Sequence, residues 1–193
     1  MTDSETGLRV RLVEAGVDLV AREGVQALTL REIARRAGVS HGAPRRYFAT
    51  HLELLSAIAR RGFADLAERV TAAAGDGTAP ARTQLTALGR CYLEFGLDNR
   101  GMYELMFRHD LLESGHLGLR DTSLPLFGRL VDLVGRVRPD ADAPLVAGAL
   151  WANLHGLVQL WSWGSLQLAA GGTDFTPFLR AALDAHLGPE TAV

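Results

Sequence analysis

Seven side chains between Thr29 and His51 are the first candidates to bind an anion or the edge of a base. They are the guanidiniums of Arg45 and Arg46, the hydroxyls of Thr29, Ser40 and Tyr47, and the imidazoles of His41 and His51. An arginine fork matches both a phosphate and the O6/N7 edge of guanine in a major groove, whereas hydroxyls and backbone N–H groups more often reach phosphate oxygens. This is the chemistry of recognition. The chain offers no nucleophile elbow, phosphate loop or paired carboxylates at a telling spacing, so nothing in it points to bond-breaking chemistry.

The elements that must hold these groups are legible around them. Thr29-Leu30-Arg31-Glu32 has the form of a capping box, predicting a helix with Leu30, Ile33, Ala34 and Ala37 on one face. Gly38 ends it. Ser40 is placed to cap a second, short helix carrying His41, Arg45, Arg46 and Tyr47, with Pro44 tolerated near its start. Thr50-His51-Leu52-Glu53 repeats the capping pattern and opens a longer helix over 51–73. Two helices joined by a glycine turn, the second short and basic, describe a helix-turn-helix. The order Thr29, Ile33-Ala34, Ala37-Gly38-Val39-Ser40, Gly42, Tyr47-Phe48 and Leu54 resembles the DNA-binding signature of the tetracycline-repressor (TetR) family of transcriptional regulators.

That resemblance implies roles. Ser40, His41, Gly42 and Ala43 would meet base edges, Thr29, Tyr47 and His51 would touch phosphates, and Arg45 and Arg46 would do either. Two departures matter. Arg45 stands where an aromatic residue is common, and His51 replaces a usual lysine, which weakens phosphate binding when the imidazole is neutral.

Composition sets the frame. The 193 residues are 48% hydrophobic and 7% aromatic, enough for a substantial core and unlike a disordered chain. The net charge of −2 hides an asymmetry. Residues 1–62 carry ten Arg against seven acids, while residues 63–193 carry ten against fifteen, so an end facing phosphate would be the N-terminal one. Cys91 is the single cysteine and excludes an internal disulfide framework. With a polar N-terminus too short for a signal peptide, a cytoplasmic location is expected.

Elsewhere the periodicity is helical. Leu8, Leu12, Ala15 and Leu19 form one face of a first helix ended by Gly24. The apolar stripe from Leu52 to Val70 belongs to a helix connecting the two ends of the molecule. Residues 75–80, with two glycines and a proline, read as a linker. Beyond it, Leu85, Leu88, Tyr92 and Phe95 form one stripe, and Met102, Leu105 and Met106 the next, with His109 at its edge. His109 and His116 are seven apart, but Ser114-Gly115 interrupts any helix that would align them, so no metal site is expected.

Residues 143–173 pass without an Asp, Glu, Lys or Arg. Asn153, His155, Gln159, Ser162 and Gln167 argue against a membrane span, leaving a helix buried on several sides, most simply at a subunit interface. Trp151-Ala152-Asn153-Leu154-His155-Gly156 resembles the Trp-X-X-X-His-Gly signature of one C-terminal ligand-binding subgroup of the same family. Tyr92, Phe95, Met102, Met106, Phe107, Trp151 and His155 are then candidates to line a small-molecule pocket, or are core.

The sequence therefore predicts an all-α protein of about nine helices. A three-helix helix-turn-helix domain would occupy residues 1–55, the helix 51–73 would connect, and residues 74–193 would bind ligand and dimerise. The resemblance implies a homodimer made through roughly 143–169 and 175–187, a pseudo-palindromic duplex DNA operator, an unidentified small apolar ligand, and no cofactor. The competing reading is a helical-bundle enzyme or small-molecule carrier that does not bind DNA.

Overall fold

A computed structural model describes residues 3–108, 110–111 and 119–189; His109 and His116 lie outside them. The all-α expectation holds: the described residues form nine α-helices and two 3₁₀ turns and no strand. The helices are α1 (Asp3–Glu23), α2 (Leu30–Arg36), α3 (His51–Ala73), α4 (Ala81–Asp98), α5 (Arg100–Met106), α6 (Leu119–Val137), α7 (Ala143–Ser162), α8 (Ser165–Ala170) and α9 (Thr176–Leu187). The 3₁₀ turns cover Val25–Ala27 and Pro44–Arg46.

The chain forms two compact units, residues 1–65 with 99–123, and residues 66–98 with 124–193. The division therefore falls inside α3 and not at the glycine-rich linker, and α5 groups with the N-terminal helices. In the first unit α1 packs on α2, on α5 and on the first 3₁₀ turn. The stripe read from the sequence is the one buried: Leu12, Ala15 and Leu19 of α1 meet a core containing Ile33, Phe48, Leu54 and Ile58. Each of the Leu, Ile and Phe side chains contributes roughly 1.5–3 kcal/mol on burial, so this core, more than the short elements around it, holds the unit together.

In the second unit α4 packs on α7 and α9, which also pack on each other. α7 starts where Asp142 accepts a hydrogen bond from the Leu145 N–H at 3.1 Å, and it buries Ala147, Leu150, Leu154 and Val158 on one face. Two arginines serve the last carbonyls of α9. Arg82 donates to Gly188 O at 2.7 Å and also to the Asp184 carboxylate, and Arg138 donates to His186 O at 3.0 Å. Cations at a helix C-terminus satisfy carbonyls that have no intrahelical partner.

The uncharged stretch differs from its expected form. One helix over 143–169 was expected, but the backbone breaks after Ser162, where Gly164 adopts φ 75°, and α8 begins anew. Only glycine takes that left-handed conformation without strain. No helix of the described residues is long and apolar enough to cross a membrane.

One buried group works against stability. The Ser56 hydroxyl in α3 is fully buried and has no hydrogen-bond partner among the described residues. An unsatisfied buried donor costs about 1–3 kcal/mol. Ser56→Ala is expected to stabilise the protein by about 1 kcal/mol, seen as a midpoint of thermal unfolding raised by about 2–4 °C; a lowered midpoint would show that the hydroxyl is satisfied in solution.

Candidate nucleic-acid interface

The side chain of Thr29 caps α2, accepting from the Glu32 N–H at 3.2 Å. The reciprocal half of the box does not form. Glu32 instead pairs with Arg35, one bond being 2.9 Å, and the Thr29 N–H goes to Ala27 O at 2.7 Å. At the next start, Thr50 accepts from the Glu53 N–H at 3.0 Å, while the Glu53 carboxylate accepts from Ala49 N–H at 2.6 Å, one residue before the position a capping box specifies. Both helices begin where the pattern says. The Thr29 hydroxyl keeps its own hydrogen to donate outward.

The segment between them is not the α-helix the sequence suggested. Ser40 does not cap through its side chain, and the only regular structure is the 3₁₀ turn Pro44–Arg46. The cause is Pro44. An α-turn opening at Ser40 needs a hydrogen bond from residue 44 to Ser40 O, and proline has no N–H to give. The carbonyl of Ser40 accepts instead from Ala43 N–H at 2.9 Å, and Arg46 N–H reaches Ala43 O at 3.1 Å. These are the three-residue steps of a 3₁₀ helix.

This geometry sorts the candidate contacts. Ser40, His41, Gly42, Arg45 and Arg46 are exposed, as is Thr29, and Tyr47 is half-buried. Ala43 is 8% exposed and lies with Pro44 and Phe48 on the buried side, so its side chain is not available to a base edge. His51 is half-buried and its Nε2–H donates to Leu28 O at 2.6 Å. In the neutral ring the other nitrogen then carries a lone pair, and only the imidazolium could donate from it to a phosphate.

Charge pairing sharpens the picture. Arg36 reaches Asp18 at 2.7 Å and Glu23 at 2.6 Å, and Arg22 reaches Asp18 at 2.6 Å. The hydrogen bond from Arg22, joined by that from Arg36, holds the Asp18 carboxyl below the usual carboxylate range. Arg22, Arg35 and Arg36 are thereby neutralised within the fold. Arg45 and Arg46 have no carboxylate partner among the described residues, and neither does Arg31, exposed in the first turn of α2 beside Thr29. Arg31 was missed in the sequence. The signal was there: Arg31 has no acid three or four residues away, whereas Arg35 follows Glu32 by three.

The pocket candidates fall into two groups. Met102 and Met106 are buried in the first compact unit, and Phe107 packs edge-on against Phe63 at 5.6 Å between ring centroids. In the second unit Tyr92, Trp151 and His155 are joined by hydrogen bonds. The indole Nε1–H of Trp151 donates to Tyr92 Oη at 3.1 Å, and Tyr92 Oη lies 3.1 Å from His155 Nδ1. An indole can only donate, so Tyr92 Oη accepts from Trp151 and shares a further hydrogen bond with His155 Nδ1. Trp151 remains 39% exposed, and the second unit also buries Phe95. No group of three or more His, Cys, Asp or Glu among the described residues is arranged to hold a metal ion.

Residues 12–58 match the family model for bacterial regulatory proteins of the tetR family, and residues 85–186 match that for a tetracyclin repressor-like C-terminal domain. The chain belongs to the TetR family. It is a DNA-binding transcriptional regulator and not an enzyme, and members of this family typically dimerise and respond to small molecules. An HTH-type transcriptional repressor of Mycobacterium tuberculosis is 29% identical over 171 residues, covering 89% of this chain and 74% of that protein. A solved structure of a protein of unknown function from Rhodococcus sp. RHA1 has a TM-score of 0.79 at 27% identity, covering 93% of both chains. The multidrug binding protein EbrR, solved with imidazole, has a TM-score of 0.63 at 25% identity, covering 95% of this chain and 96% of its own.

The polar trio of this TetR regulator has a consequence for acid stability. Burial lowers the His155 pKa from its usual 6.5. The unfolded chain therefore takes up a proton before the folded one as pH falls, so stability is full above about pH 6.5 and declines below it. His155→Gln, which keeps a hydrogen-bonding group but does not titrate, is expected to flatten the fall of the unfolding midpoint between pH 7 and pH 5. An unchanged slope would show that the imidazole is not held neutral.

Proposed function

We propose that this regulator reads duplex DNA with the exposed face of residues 40–46. Arg45 and Arg46 enter the major groove, Ser40, His41 and Gly42 approach base edges, and Thr29, Arg31, Tyr47 and, when protonated, His51 hold the phosphates. Ala43 supports this face from beneath. The observation that carries the reading is the pair of exposed guanidiniums without carboxylate partners among the described residues, on a turn whose other side is anchored in the core. Residues 1–55 then act as the DNA-binding domain and residues 74–193 as the regulatory part.

We further propose a homodimer made through α7, α8 and α9. On α7, Leu145, Ala149, Ala152 and Trp163 just past its end are exposed and recur at helical spacing, and α9 exposes Pro177, Ala181 and Ala185. Small residues at these positions let two helix pairs approach closely, and the large apolar ends need cover. A two-fold dimer presents two reading segments, so the operator is a pseudo-palindrome. A small apolar ligand contacting Tyr92, Trp151 and His155 would shift the protein away from its DNA-binding state by binding the other state more tightly. Repression is the mode favoured by the name of the mycobacterial relative, and the multidrug ligand range in the name of EbrR fits an apolar effector. Such a regulator works in the cytoplasm.

Binding of the wild type to a duplex enriched from a randomised library, measured at several salt concentrations, tests the reading. Arg45→Ala and Arg46→Ala are each expected to weaken binding by about 1–3 kcal/mol where the contact is to a base, or to lower the salt slope by about 0.9 where it is to a phosphate. Affinity and slope unchanged in both variants would remove the assignment. For the dimer, Ala152→Arg places a charge in the proposed seam and is expected to give a folded monomer by light scattering; a persisting dimer would place the interface elsewhere.

A further inference from the structure

The turn that launches the reading segment is closed by a residue from a different helix. α2 ends in a pair of hydrogen bonds, Val39 N–H to Ala34 O at 3.0 Å and Gly38 N–H to Arg35 O at 3.2 Å, with Gly38 at φ 66°. This arrangement satisfies two of the last helix carbonyls and requires a residue that tolerates the left-handed region. The carbonyl of Ala37, which caps the helix, is outside that pair. It accepts from Nη2 of Arg11 at 2.7 Å, a residue of α1 that lies 26 positions earlier. The guanidinium thus sits at the negative end of the α2 dipole, three residues ahead of Ser40.

We propose that Arg11 is a positioning residue for DNA reading: by holding Ala37 O it fixes the direction in which the chain leaves α2 and so the placement of Arg45 and Arg46. The role rests on the reading of residues 40–46 given above. Its physical basis is an asymmetry in how α2 is braced. The body of α2 is held to α1 by Arg36, which grips Asp18 and Glu23, and by the buried Ile33 and Ala34. Those contacts fix the helix as a whole. Neither reaches the turn, and beyond Ala37 no side-chain hydrogen bond or ion pair among the described residues ties the chain until Ala43 and Pro44 enter the core, with Val39 half-buried between. Arg11 is the link at the one place where a small backbone rotation would swing the segment. Because Arg11 is itself exposed, the bond contributes little to global stability, while a charge-assisted bond to a carbonyl is directional enough to select one turn geometry.

A direct phosphate contact by Arg11 and a positioning role differ in what salt and sequence reveal. A phosphate contact contributes equally on every duplex and appears in the salt slope. Where Arg45 and Arg46 read bases, a residue that positions them changes neither; it lowers only the affinity for the matched sequence. The test compares the wild-type protein with Arg11→Ala, Arg11→Met and Arg11→Lys on two duplexes, one enriched by the wild type from a randomised library and one of random sequence and equal length. Binding is measured across a salt series, beside thermal unfolding of each variant. Arg11→Ala and Arg11→Met are expected to weaken binding to the enriched duplex by about tenfold, the scale of one charge-assisted hydrogen bond, with salt slope, random-duplex binding and unfolding midpoint unchanged. Arg11→Lys, which can still donate to the carbonyl, should recover most of the loss. Three results would overturn the role: unchanged affinity for the enriched duplex, an equal loss on both duplexes with a slope lowered by about 0.9, or a loss that tracks a lowered midpoint and is not recovered by lysine. Should Arg45→Ala and Arg46→Ala leave wild-type affinity untouched, the reading beneath the proposal fails; should they weaken it while Arg11 variants bind as the wild type does, the positioning role alone fails.

Discussion

The absence of one hydrogen atom shapes the segment from Ser40 to Arg46, proposed above to meet DNA. Proline at position 44 cannot serve the carbonyl of Ser40, so the chain after Gly38 advances in 3₁₀ steps, and Ala43, Pro44 and Phe48 turn inward together. With that side committed to the core, Arg45 and Arg46 have no place but solvent. A regular α-helix through 40–47 would have distributed these residues differently around its axis, since successive residues rotate by about 100° in one form and 120° in the other. The exposed pair of guanidiniums is thus a consequence of a backbone restriction combined with three apolar anchors.

Charge follows the same logic of commitment. In the first unit the carboxylates Asp18, Glu23 and Glu32 are engaged by Arg22, Arg35 and Arg36, so those arginines are taken up in bracing α1 and α2. Solvent-exposed ion pairs add little to stability, and their use here is to orient. Arg31, Arg45 and Arg46 have no such carboxylate among the described residues and are exposed to solvent. Part of the positive charge of residues 1–62 is therefore assigned to particular exposed side chains, which a net charge by itself cannot say.

Much of this was legible in the sequence because it depends on local rules. Thr29 and Thr50 cap where a threonine before an apolar run should, Gly38 takes the left-handed turn, and the buried stripe of α1 is the one its four-three-four spacing names. What escaped was either longer in range or a matter of competition. Glu32 was expected to return to Thr29 and instead took Arg35, because a guanidinium offers the carboxylate more than one amide does. The short basic helix became 3₁₀ because Pro44 falls at its fifth residue and not its first turn. Ala43 was grouped with its neighbours by resemblance, yet its burial depends on tertiary packing that no local pattern shows. The break at Gly164 was hidden in a run of apolar residues whose composition favoured continuity, and Arg11 gave no local sign of reaching Ala37. The pocket candidates Met102, Met106 and Phe107 shared a helical stripe pattern with Tyr92 and Phe95, but a stripe does not say which compact unit will bury it.

Amide hydrogen exchange of the whole chain, with and without a duplex enriched from a randomised library, bears most directly on the claim that an anchored turn with free arginines is what meets DNA. The account predicts that the duplex slows exchange in residues 38–51 and at the start of α2, with the face of α7 and α9 unaffected. Protection that appears elsewhere in residues 1–65 while 38–51 exchange as in the free protein would contradict it.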